Sequence, residues 1–164
     1  MKKISLLFIA FMSITSVYCA AADPTDSIED SIKAQTIPTY LIILGSKKNY
    51  YDVLKIAKSI SKKSGISYDD EGMIYDKKKG LIDSDPTANG YPSDEDDYLG
   101  RRGNGDFISI EKSEAYNGLK KGFYIIVGSI QEKSQDAEKM LKFYKKYAPD
   151  AYIQKTHIFM GCMH

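Results

Sequence analysis

Tyr40-Leu41-Ile42-Ile43-Leu44-Gly45-Ser46 is a short aromatic and aliphatic run closed by a glycine-serine pair. Phe123-Tyr124-Ile125-Ile126-Val127-Gly128-Ser129 repeats it near the C-terminus. β-Branched content and the turn pair predict a strand in each. After the first run, Asn49 predicts a helix cap with Asp52 in the first turn. Tyr50, Val53, Ile56, Ala57 and Ile60 then share one helical stripe, while Asp52, Lys55, Lys58 and Lys62 point elsewhere, and Ser64-Gly65 closes the helix. The second run leads into a matching helix with Ser134 as its expected cap, a stripe of Ala137, Met140, Leu141, Tyr144 and Ala148, and Pro149 as its stop. Each helix is followed by a strand with tyrosine near its start, Ile66-Ser67-Tyr68 in one half and Ala151-Tyr152-Ile153 in the other.

Strand, turn, helix, breaker and strand recurring in one order predict two β-α-β units. A chain of 164 residues has room for one domain or two very small ones. The expected class is therefore α+β, a ferredoxin-like β-α-β-β-α-β arrangement of four strands with both helices on one face. A long insertion, about 69–121, separates the halves. It holds Asp83, Asp85, Asp94, Glu95, Asp96 and Asp97, then Arg101 and Arg102 among glycines, then Phe107-Ile108-Ser109-Ile110-Glu111, which reads as an extra strand. A connection of that length is usually functional or flexible. Tyr40–Leu44 and Phe123–Val127 are apolar at every position, whereas a sheet with one wet face alternates. Something must cover the second face: the insertion, through Phe107–Ile110 and its tyrosines, or a protein partner.

The N-terminus carries Lys2 and Lys3, an apolar run from Ile4 to Met12, and Ala20-Ala21-Ala22 before Asp23. That is the layout of a secretory signal over 1–22, and the run is too short to span a bilayer. A lipoprotein would acylate Cys19, but Ser16-Val17-Tyr18 lacks the preceding pattern a lipobox needs. The expectation is a periplasmic or secreted bacterial protein with no membrane span after cleavage, a leader over 23–38 and a domain over 39–164. Cleavage moves the net charge from +1 to −1, because Lys2 and Lys3 leave with the signal. Neither value suits a nucleic-acid binder that depends on whole-chain charge. With 43% hydrophobic and 12% aromatic residues, the chain can bury a core. Of the two cysteines only Cys162 would persist, too few for a thiolate zinc site or a disulfide framework.

The duplicated phrase, Tyr40–Ser46 with Val53–Tyr68 and Phe123–Ser129 with Ala137–Tyr152, resembles the SPOR domain of bacterial envelope proteins. The resemblance implies a non-catalytic module that binds peptidoglycan glycan strands stripped of peptide, on the sheet face left free by the helices. It makes Tyr40, Ile42, Tyr124, Ile126 and Gln154 candidate ligand-binding residues. A second reading keeps the scaffold and gives it an envelope protein as partner, as an inhibitor or immunity factor would have.

Arg101 and Arg102 are candidates for contact with an anionic partner. His157, Met160, Cys162, Met163 and His164 offer soft ligands suited to copper or zinc, and Met160, Cys162 and His164 form the weak metal candidate. Strand alternation separates Met160 and Cys162 from His157 and Met163, so a packed strand end and no cofactor are expected. Asp83-Ser84-Asp85-Pro86-Thr87-Ala88 lacks the oxygens and glycine of a calcium loop. The glycines around Arg101 lack the flanking strand and helix of a phosphate loop. Histidines only at the C-terminal end and no recognisable nucleophile elbow argue against catalysis.

Overall fold

The computed structural model describes residues 36–83, 100–101, 105 and 107–159. The expected signal, most of the leader, the acidic stretch beyond Asp83, Arg102 and the metal candidate Met160, Cys162 and His164 lie outside those residues.

The first strand, β1, runs over Thr36–Lys47 and leads into helix α1 at Tyr50–Ser64. The Asn49 side chain accepts the amides of Tyr51 at 2.9 Å and Asp52 at 3.3 Å, a cap whose removal costs about 1 kcal/mol. At the other end Gly65 adopts φ 78° and returns its N–H to the Ser61 carbonyl, the left-handed closure that glycine permits. After β2 at Ser67–Tyr68 comes a hairpin ribbon, β3 at Met73–Asp76 and β4 at Gly80–Asp83. The extra strand expected after the arginines is β5, Phe107–Lys112. Strand β6 at Tyr124–Gln131, helix α2 at Ser134–Tyr144 and strand β7 at Tyr152–Phe159 complete the chain.

The chain is α+β, with two helices and a mixed five-stranded sheet in the order β2-β5-β6-β1-β7. β1 runs antiparallel to both β6 and β7, β5 antiparallel to β6, and β2 parallel to β5. Both helices cover one face. Val53, Ala57 and Ile60 of α1 and Ala137 and Tyr144 of α2 bury against Ile42 and Leu44 of β1, Ile108 and Ile110 of β5 and Ile126 of β6. Each large aliphatic taken from water there contributes about 1.5–3 kcal/mol.

Four local expectations are corrected. Thr36 to Pro38 belong to β1 and not to the leader, pairing with Phe159, Ile158 and His157. Pairing with β6 begins only at Tyr40, so the N–H that proline lacks breaks no ladder on that side. Ser134 is the first helical residue and not the cap. Lys133 holds the cap position with no side-chain bond, and Ser134 Oγ instead bonds Glu138 Oε1 at 3.4 Å. α2 ends at Tyr144, before Pro149, where the Lys146 and Tyr147 amides tighten onto carbonyls three residues back.

The fourth concerns the glycine-serine pairs, which lie inside the strands instead of closing them. Register slips between Ile42 and Ile43 and between Ile43 and Gly45, leaving Gly128 of β6 and Leu44 of β1 as the extra residues of two opposed bulges. The two glycines are not equivalent. A Cβ on Gly128 would meet Leu44 Cδ1 and Tyr144 Cε2 at 2.9 Å, and Tyr144 Oη donates to the Gly128 carbonyl at 2.7 Å. A Cβ on Gly45 would meet only Ile126 Cδ1, at 3.8 Å. Gly128→Ala is therefore expected to destabilise by about 1–3 kcal/mol in urea melts, while Gly45→Ala changes stability by under about 0.5 kcal/mol.

Candidate functional site

The sheet face away from the helices carries Leu41 and Ile43 of β1, Ile125, Val127 and Ile130 of β6 and Ile158 of β7, all buried. Its cover is the β5–β6 connection. A short 3₁₀ turn at Ser113–Ala115 starts a loop whose neck is tied by Ser113 N–H to Phe123 O at 2.9 Å, Phe123 N–H to Ser113 Oγ at 3.1 Å and Gly122 N–H to Glu114 Oε1 at 2.6 Å. Tyr116, with Ala115 and Leu119 beside it, packs on the apolar face. Gly118, at φ 87°, reaches β7, where a Cβ would stand 2.9 Å from Gln154 Nε2. The strap thus crosses from β5 to the far edge of the sheet. Phe107–Ile110, expected to help cover this face, instead sends Ile108 and Ile110 to the helix side.

Arg101 locks the strap. Only 3% exposed, its guanidinium donates to the Phe107 carbonyl at 2.8 Å and to the Gly105 carbonyl, and lies 3.7 Å from the Phe107 ring centroid. Its backbone N–H reaches Glu111 Oε2 at 3.1 Å, and its carbonyl accepts the Tyr116 hydroxyl at 3.2 Å. Burial lowers the Arg101 pKa, opposed by the nearby Glu71 and Glu111 carboxylates. Burial, then Glu111, raises Glu71, and burial pushes the Tyr116 hydroxyl far up. Arg101 is therefore a structural cation, turned inward, and not the candidate contact for an anionic partner.

The other candidate residues scatter. Ile42 and Ile126 are fully buried beneath the helices and present no atom to a ligand, because the strand phase turns even-numbered residues of both runs to that side. Tyr40 is half-buried on the helix side, opposite Lys155, whose Nζ lies 6.0 Å from its ring. Gln154 is on the strap side, half-buried under Gly118, and its Nε2 donates to the Lys155 carbonyl at 2.8 Å.

Of these Tyr124 joins a cluster, and a ribbon within the insertion builds it. In the β3–β4 ribbon, Asp76 Oδ1 accepts the amides of Lys78 at 2.7 Å and Lys79 at 2.8 Å, and Gly80 turns at φ 82°. The ribbon buries Leu81 in the helix-side core and lays Tyr75 on Tyr50, ring centroids 4.3 Å apart and nearly parallel. Tyr124 meets Tyr50 at 5.6 Å and Tyr75 at 5.9 Å edge-to-face, and Tyr51 meets Tyr75 at 5.4 Å. Burial raises Tyr50 and Tyr124 above the ordinary phenol value, and Tyr68, hydrogen-bonded to Tyr50, further still. Ile74-Tyr75-Asp76 and Gly80-Leu81-Ile82 flanking a lysine turn were the available signal.

Among the described residues, no group of three or more His, Cys, Asp or Glu side chains could hold a metal ion. No helix among them is long and apolar enough to cross a membrane. No family model matches the chain, and neither does any curated protein or solved structure.

Arg101→Ala is expected to cost about 3 kcal/mol in urea unfolding, since it removes the buried cation beside the Glu71 and Glu111 carboxylates and the guanidinium donors to the Phe107 and Gly105 carbonyls. An exposed ligand-contacting arginine would give a change near zero.

Proposed function

We propose that this chain is an exported, non-catalytic binding module whose partner is a protein of the bacterial cell envelope, in the manner of an inhibitor or immunity-type protein. Its scaffold is an elaborated ferredoxin-like β-α-β-β-α-β fold. With β5 set aside, the sheet order reads β7-β1-β6-β2, which places the fourth, first, third and second strands of the duplicated unit side by side. Export rests on the signal-like segment 1–22, and the duplicated phrase carries the resemblance to SPOR domains.

The observation behind the choice of a protein partner is the strap. A glycan-binding module of the SPOR type uses the face opposite its helices. Here Leu41, Ile43 and Val127 have no exposed surface there, and Tyr116 is 3% exposed above them. Sugar hydroxyls require accessible hydrogen-bonding groups in exchange for water, and the hydroxyls of Thr39, Ser109 and Thr156 are buried with the aliphatics of this sheet. The scaffold is left to act through its outer surfaces.

In sedimentation with peptide-stripped peptidoglycan sacculi, residues 23–164 are expected to stay in the supernatant with a control protein. An envelope enzyme that co-purifies with the chain is expected to lose activity when the two are mixed. Retention on the sacculi above the control would return the module to glycan recognition.

A further inference from the structure

Three large hydrophobic side chains are exposed among the described residues, and two of them lie at the ribbon end of the molecule. Tyr51 is 56% exposed and Ile74 51%. Tyr51 stands in the first turn of α1 with its ring against Tyr75, and Ile74 is the neighbour of Tyr75 along β3. Tyr50, Tyr75 and Tyr124 form a packed aromatic floor beneath Tyr51, while alternation along β3 turns Ile74 to the outer face of the same ribbon. That floor fixes the Tyr51 ring before any partner arrives, so less side-chain freedom is lost on contact.

The surroundings are basic. Lys47 and Lys48 precede the helix, Lys55 lies one turn beyond Tyr51 on the same helix face, and Lys77 and Lys78 form the ribbon turn, all exposed. Farther along the same strand ends, Lys47 and Lys112 stand on either side of Tyr124 in register, and Lys48 and Lys120 each place Nζ 5.8 Å from the Phe123 ring. The acids nearby are Asp52, exposed in the first turn of α1, Asp76, whose carboxylate accepts the amides of Lys78 and Lys79, Asp70, close enough to act on the Tyr50 hydroxyl, and Glu114, which acts on Tyr124 and accepts the Gly122 amide. An apolar centre with a rim in which lysines outnumber acids is the anatomy of a protein interface, in which tyrosine supplies affinity and rim charge sets approach and selectivity. Ile74 favours a protein over a sugar or nucleic-acid ligand, because an exposed aliphatic offers no hydrogen bond to a phosphate or a hydroxyl but seats in an apolar pocket of a protein.

We infer that this ribbon end, centred on Tyr51 and Ile74 with Lys47, Lys48, Lys55, Lys77 and Lys78 around them, is the docking surface for an acidic protein partner. The inference rests on the protein-binding reading above and adds where the partner sits and what charge it carries.

Photo-crosslinking in the native host tests it, with p-benzoylphenylalanine replacing Tyr51 or Ile74 and, for comparison, Tyr152, the third exposed hydrophobic residue at 42%. Cross-links to one acidic protein are expected from positions 51 and 74 and not from 152. With that protein purified, Tyr51→Ala and the double variant Lys48→Glu/Lys78→Glu are each expected to weaken the complex by about tenfold, and added salt to slow association. Both changes are at exposed positions, and an unchanged melting temperature shows that the fold is kept. Cross-linking from position 152 alone, or a complex indifferent to both variants, overturns the inference while leaving a protein partner in place. Cross-links from 51 and 74 to nucleic acid, to lipid or back to this chain also overturn it. Retention on sacculi, by contrast, tells against the protein-binding reading itself.

Discussion

Two central strands are apolar on both sides, and the rest of the structure follows from having to cover them twice. Ile42, Leu44 and Ile126 turn to the helices while Leu41, Ile43, Ile125 and Val127 turn the other way, all nearly or wholly without exposed surface. At about 25 cal/mol for each Å² of apolar surface, a single aliphatic left in water forfeits 1.5 kcal/mol or more, so a face of this kind is not left open in a stable monomer. One cover is provided by the duplicated unit itself, since each β-α-β half lays its helix on the same side. The other comes from within the insertion, and it is a loop without regular structure beyond one 3₁₀ turn.

A loop can serve as a core layer only if its own polar groups are satisfied and its position is fixed. Side chains contribute to both. Ser113 and Glu114 close the neck, while Arg101 ties the approach to β5 through the Phe107 and Gly105 carbonyls. The Tyr116 hydroxyl, in turn, is taken up by the Arg101 carbonyl. Arginine suits this place because its planar fork meets two carbonyls and stacks on Phe107 at the same time, which a lysine would not do.

Much of the scaffold was legible in the sequence because its signals are local. The Asn49 cap, the α1 stripe, the Gly65 closure, the duplicated order of elements and the extra strand at Phe107 each depend on residues within a turn or two of one another. The glycine-serine pairs misled because a glycine in a bulge and a glycine in a turn look alike in sequence; only the approach of Leu44 and Tyr144 to Gly128 separates them. The apolar runs announced that a second cover was needed, yet which residues would supply it depended on where the β5–β6 connection crossed the sheet. Of the candidate binding residues, Ile42 and Ile126 failed on strand phase, and Arg101 failed because arginines between glycines look solvated unless a buried carboxylate such as Glu111 is known to wait nearby. The tyrosine cluster drew Tyr50, Tyr75 and Tyr124 from three separate elements, a convergence that no spacing records.

That the second face is sealed from within the chain is the claim on which the choice of partner turns. Methyl-labelled protein in an isotope-edited NOE experiment addresses it directly. Cross-peaks are expected from the Tyr116 ring and the Leu119 methyls to methyls of Leu41, Ile43, Ile125 and Val127. A Tyr116 ring with no such cross-peaks, together with those four methyls relaxing into bulk water, would contradict the account and reopen the sheet face as a binding surface.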